Sequence, residues 1–265
     1  MNSTKIIFGM DPKGTLRGSD RGPLVAGPTE GESTVNSPKR LARIAGVLYL
    51  LNAITAGFAY GFVEIKMYVA GNVIANSGLV RLGVVSDLFQ ATVWVFLAMT
   101  LSLLLKHVNK SAASAIVVLV AIGTSIVCFN AVFEFEGLRV ATSAVNLAAL
   151  GTGGSNALVL LLLDTQHYGI LIAQIFYGLW LVPLGYLAYK SAGWFPRWLG
   201  VLLIVGGVCY LVDLLALFLV PDFAQNIHLF VGVIPTTIAE VSMVIYLLVI
   251  GVKTSRPENR ILAAE

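Results

Sequence analysis

The sequence predicts an all-α, polytopic membrane protein: six transmembrane helices, both termini cytoplasmic, and a short re-entrant or surface hairpin between the third and fourth helices. Three observations predict it. Of 265 residues, 57% are hydrophobic and 12% charged, against a charged share of about 25% in soluble domains; mean hydropathy is +0.86. Continuous apolar runs recur at the length needed to cross a hydrocarbon core of about 30 Å. Basic residues gather at alternate ends of those runs. A barrel would need short alternating strands, which the long runs exclude.

Residues 1–40 are rich in Gly, Pro, Ser and Thr, with Lys5, Lys13, Arg17 and Arg21 balanced by Asp11, Asp20, Glu30 and Glu32. Such a segment buries too little apolar surface to fold alone, so a disordered cytoplasmic tail is expected there. Its apolar stretch IIFGM is too short for a signal-peptide core, which leaves the first span as the insertion signal. The transmembrane domain is expected over 41–252 and a short cytoplasmic tail over 253–265.

The spans are expected at 41–63, 82–105, 112–135, 167–189, 198–220 and 229–252. Each is long enough at about 1.5 Å rise per residue. In the first, Ala53, Gly57 and Gly61 repeat every four residues, the small-residue spacing that lets a neighbouring helix approach closely. A seventh apolar stretch, 141–163, is interrupted by GTGGS; its halves are too short to cross separately, hence the expected hairpin. In the fourth span, Pro183 removes a backbone donor and is read as an architectural kink between Gly178 and Gly185. Lys190, Trp194, Arg197 and Trp198 then mark a helix hairpin turned at the inner surface, with Pro196 opening the fifth span.

Orientation follows from charge. Lys39, Arg40 and Arg43, Lys106 and Lys110, Lys190 and Arg197, and Lys253, Arg256 and Arg260 share one side; only Lys66, Arg81 and Arg139 lie opposite. The richer side is the cytoplasmic one. This placement accounts for the net charge of +3 and argues against nucleic acid as a partner. Cys128 and Cys209 lack CxxC spacing and read as small buried apolar side chains.

The segments RIAGVLYLLNAITAGFAY (43–60), RLGVVSDLF (81–89), HYGILIAQIFYGLWLVPLGYLAYKSAGWFPRWLGVLLIVGG (167–207) and YLVD (210–213) resemble a bacterial family catalogued as domain of unknown function 4386. The likeness covers roughly residues 40–252. It implies a bacterial multi-pass protein of the inner membrane, and it brings no activity, substrate, cofactor or catalytic residue with it.

Ionisable groups inside spans are costly and tend to face a bundle interior, so each is a candidate site residue. Asp87 and Gln90 are three apart in the outer third of the second span and share a face; Asn130 and Glu134 are four apart near the outer end of the third. Gln174 and Asp213 fall in the outer thirds of the fourth and fifth spans, while Asn52 and Glu240 are near mid-depth. The carboxyls have no Lys or Arg at comparable depth. If they converge, they form an outward-facing acidic cavity for a small ligand, a cation or proton, or a lipid. The plainer reading puts Asp87 and Glu134 at headgroup level and makes Asp213 a helix-capping or inter-helix partner. Glu240 resists that reading, because an ionised group at mid-depth costs roughly 2.5–3.5 kcal/mol; Thr236 and Thr237, one turn earlier, are its candidate proton-sharing partners.

The expected role is therefore non-catalytic, with the lipid bilayer and a small ligand as partners and no cofactor. The first alternative is a small secondary transporter, for which an inverted three-plus-three repeat would be the sign; the halves show no evident similarity. The second is a membrane-embedded hydrolase or metal-dependent enzyme using Glu134, Asp213 or Glu240 with His167 and His228. A zinc site could draw on those histidines, but HExxH and nucleophile motifs are lacking.

Overall fold

In a bilayer the backbone must satisfy its own polar groups, so apolar runs become helices. The computed structural model describes residues 38–253 apart from 65, 67–69 and 146, and every regular element in it is helical. The expected tails thus lie outside the described residues, save for 38–40 and Lys253. Helix α1 (Pro38–Phe58) continues as a π turn, Ala59–Glu64; the short α2 (Ala70–Ala75) leads to α3 (Ser77–Leu105) and α4 (Lys110–Ala141). A 3₁₀ turn, Ala148–Leu150, precedes α5 (Gly151–Lys190), then come α6 (Arg197–Leu219) and α7 (Pro221–His228). The π turn Leu229–Val233, α8 (Ile234–Ile245) and a last π turn, Tyr246–Ile250, complete the order.

Among the described residues, six helices are long and apolar enough to cross a membrane: Pro38–Glu64, Ser77–Leu105, Lys110–Ala141, Ala148–Lys190, Arg197–Leu219 and Asn226–Ile250. Large apolar side chains such as Phe96, Phe129, Leu215 and Val249 face outward from them, a surface suited to lipid rather than water. Pro38 opens α1, and Asn109 caps α4 by accepting from the Ala112 amide at 3.0 Å. One face of the bundle, here called proximal, carries Pro38, the 106–109 and 191–196 turns and Ile250; the other is distal. The proximal 191–196 turn is closed by Ser191, whose Oγ donates to the Ala188 carbonyl and accepts from the Phe195 amide. Tyr246 donates to the Trp194 carbonyl at 3.0 Å, tying the last helix to that turn.

Three expectations are corrected. The 141–163 stretch holds no hairpin: GTGGS forms the first turns of the 40-residue α5. One continuous helix satisfies the backbone that a hairpin would leave partly unpaired. It also packs Val159 and Leu163 into a distal apolar cluster with Val63, Val80 and Leu138. The Ala53, Gly57 and Gly61 stripe faces outward, and a Cβ on either glycine would meet nothing within 4 Å. The close helix approach is instead between α5 and α6, where a Cβ on Gly178 would stand 2.7 Å from the Gly207 carbonyl and one on Gly185 would stand 2.6 Å from that of Gly200. Cys128 is exposed, on the outward face of α4. Helix α5 runs through Pro183, which leaves the Leu179 carbonyl without its i+4 donor.

Candidate functional site

Counting about 1.5 Å per residue from the proximal ends, Glu240 lies about 15 Å along its helix, Asp213 about 24 Å, Asp87 about 27 Å and Glu134 about 36 Å. The groups nevertheless point inward: Asp87 is 2% exposed, Glu134 7% and Asp213 1%. They belong to three separate constellations.

The first is a distal pocket of about 20 Å³, lined by Tyr60, Glu64, Asp87, Glu134 and Gln166 with Ala59 and Leu163. That is room for about one water. The carboxyls come from three helices. Glu64 ends the π turn that also carries Tyr60, and the wider π winding puts these two residues, four apart, over the same pocket. Asp87 comes from α3, with its Oδ1 buried and lacking a hydrogen-bond partner. Glu134 comes from α4 and fits because α3 has Gly83 opposite it; a Cβ there would stand 2.9 Å from Glu134 Oε1. On the rim, Glu64 meets His167 Nδ1 at 2.6 Å. Arg139 pairs with Glu136 and Lys66 sits over the Phe62 ring, so these distal cations are engaged elsewhere.

The second constellation surrounds Glu240. Its carboxylate accepts from the Tyr49 hydroxyl at 3.0 Å and the Tyr210 hydroxyl at 3.2 Å. Thr236 does not share its proton: that hydroxyl turns back to the Gly232 carbonyl at 2.6 Å, the usual bond of a threonine inside a helix. A cavity of about 130 Å³ adjoins Glu240, lined by Asn52, Gln90, Trp94, Tyr177, Trp180 and Tyr210 among others. Tyr60 lines both cavities and donates to Gln90 Oε1 at 3.1 Å. Asn52 Oδ1, Trp94 Nε1 and the Tyr177 hydroxyl are buried without a hydrogen-bond partner.

In the third, Asp213 meets His228 Nδ1 at 2.8 Å, its carboxyl seated against Gly232, whose added Cβ would lie 2.5 Å away. Gly232 belongs to a π turn, as Glu64 does. Asn130 packs against Gly169, and Asn130 Nδ2 and Gln174 Oε1 are buried without partners.

The structure thus brings Asp87 and Glu134 together, and Glu240 with Asn52 and Gln90, but keeps Asp213 apart from both groups. His167 and His228, the alternative metal ligands, line a common cleft; the Nδ1 of each meets a different carboxylate, and among the described residues no three His, Cys, Asp or Glu side chains gather as a metal site. Sequence reasoning missed Glu64, Gln166 and the tyrosines. Glu64 falls just beyond the expected end of the first span, and only a π turn swings it inward. Tyr49 and Tyr210 look like ordinary interior aromatics until their hydroxyls are seen to meet on Glu240.

A family model described as Domain of unknown function (DUF4386) matches residues 44–251. An "Uncharacterized protein" of Archaeoglobus fulgidus is 36% identical over 92 residues, 34% of this chain and 52% of that protein. The chain therefore spans about half the length of this curated relative. No solved structure matches the chain significantly.

Proposed function

The chain belongs to the family described as Domain of unknown function (DUF4386), and from that premise we propose a role drawn from the site: a non-catalytic, multi-pass protein of the bacterial inner membrane that holds a proton in an outward-facing acidic pocket. The excess of Lys and Arg on the proximal side supports a cytoplasmic proximal face, and in that orientation the distal pocket opens outward. The observation that carries the reading is the convergence of Glu64, Asp87 and Glu134 on a space for one water, with no Lys or Arg among its described lining residues. With Glu64 met at the rim by His167, Asp87 and Glu134 cannot both ionise in so small a space without a compensating positive charge. A proton, passed between them through one water, supplies it. A bound metal ion fits less well, because the carboxyls do not gather at metal-ligand geometry.

The test is infrared spectroscopy of the full chain in lipid nanodiscs. A protonated-carboxyl stretching band that responds to pH and disappears in Glu134→Gln is the expected result. Absence of such a band over the whole pH range in which the protein stays folded would falsify the proton-binding role.

A further inference from the structure

At the centre of the bundle, aromatic side chains from four helices form a closed circuit completed by one carboxylate. Tyr49 packs on Trp180 with ring centroids 5.5 Å apart, Trp180 on Trp94 at 5.8 Å, Trp94 edge-on to Tyr177 at 4.9 Å, and Tyr177 on Tyr210 at 6.3 Å. Tyr49 and Tyr210 both donate to Glu240, which closes the circuit. Four of these aromatics and Glu240 line the 130 Å³ cavity. Its size is close to the roughly 150 Å³ that accommodates a benzene-sized guest in a protein interior.

The one ionisable carboxyl of the described lining, Glu240, faces no basic side chain there. Aromatic faces present negative quadrupole charge, and a cation within about 6 Å of a ring centroid is attracted to it. Glu240 adds a full carboxylate, and no Lys, Arg or His lines the cavity among the described residues. Asn52, 9% exposed, contributes an Oδ1 acceptor that is buried and unpartnered. An uncharged aromatic guest would use the rings and leave Asn52 Oδ1 unmet and the carboxyl of Glu240 without a cationic partner. A metal ion would find a single carboxylate and too large a space. On the α1 side the small residues Ala53 and Ala56 join Asn52 in the wall, and Ala53 is exposed.

We propose that this aromatic, carboxylate-closed cavity binds a small protonated organic amine, its N–H groups shared between Glu240 and Asn52 and its alkyl body against Trp94, Trp180 and Tyr177. The site shares Tyr60 with the distal carboxyl pocket, but its test does not depend on the reading of that pocket.

The test uses the purified full chain and an isosteric pair of probes, tert-butylammonium and tert-butanol, with binding followed calorimetrically and by tryptophan fluorescence. Saturable binding of the ammonium is expected, at least about tenfold tighter than that of the alcohol, and Glu240→Gln is expected to remove most of that preference. Tyr210→Phe, which keeps the ring and deletes one hydroxyl, provides a milder variant should Glu240→Gln fail to fold; a weaker preference that stays above the alcohol's is expected. Equal binding of alcohol and ammonium would show an indiscriminate apolar cavity, and an absence of saturable binding would show one filled by water alone. Either result overturns the proposal.

Discussion

A carboxyl or carboxamide group inside a helix bundle needs space as well as partners, and glycines on facing helices supply the space. Glu134 lies against Gly83, Asp213 against Gly232 and Asn130 against Gly169. Gly83→Ala would put a methyl group 2.9 Å from both Glu134 Oε1 and Val63 Cγ1. It should lower stability by about 1–3 kcal/mol, the usual cost of overpacking, read as an earlier thermal unfolding midpoint in detergent. The partners can be tested on Glu240. Tyr49→Phe or Tyr210→Phe removes one charge-assisted hydrogen bond, a loss of about 1.5–3 kcal/mol each. The double variant is expected to lose more than the sum of the two, because the carboxylate is then left with no phenol donor; a double-mutant cycle on unfolding midpoints measures the excess. Strict additivity would mean that the two hydroxyls do not act on a shared carboxylate.

Among the elements, the π turns and the α5–α6 crossing do the positioning. The turn Ala59–Glu64 brings Tyr60 and Glu64 over one pocket, and Leu229–Val233 sets Gly232 beside Asp213. A π turn carries one residue more than the α-helix it interrupts. Deleting Gly61, which has open space around it, should restore α winding and turn Glu64 by about 100°. The Glu64–His167 contact would then be lost while the fold survives, and nitrogen NMR of the His167 ring would register the change. At the crossing, a Cβ on Gly207 would stand 2.6 Å from the Gly178 carbonyl, an obstacle made of backbone. Gly207→Ala should therefore destabilise the protein by more than Gly83→Ala does. Gly57→Ala, facing outward, should be neutral or stabilising by up to about 1 kcal/mol through helix propensity. Thermal unfolding of the three variants side by side gives the order.

For the molecule as a whole, an even number of spans returns both ends of the bundle to one side, and the proposal that this side is cytoplasmic rests on the charge asymmetry. Glu64→Cys, in a chain whose Cys128 and Cys209 are replaced by Ala, should react with a membrane-impermeant thiol reagent added outside cells. Lys106→Cys should react only after permeabilisation. Much of the helical architecture was legible beforehand, because hydropathy reports directly on a span's length. The site was legible only in part. Asp87 and Glu134 stand out as carboxyls in apolar runs, and spacing alone puts Asn130 on the face of Glu134. Their pairing with Glu64 depends on helical winding that changes within one turn, and the Glu240 cluster depends on which helices are neighbours; neither is written in periodicity. Asp213 shows the limit in the other direction, since a buried intramembrane carboxyl proved to have its own partner in His228. The most direct measurement of the central claim is the coupling among the three distal carboxyls. The infrared band assigned to Glu134 should shift in Asp87→Asn and in Glu64→Gln and stay in place in Asp213→Asn, because only the first two share its proton. A Glu134 band indifferent to all three substitutions would contradict the account.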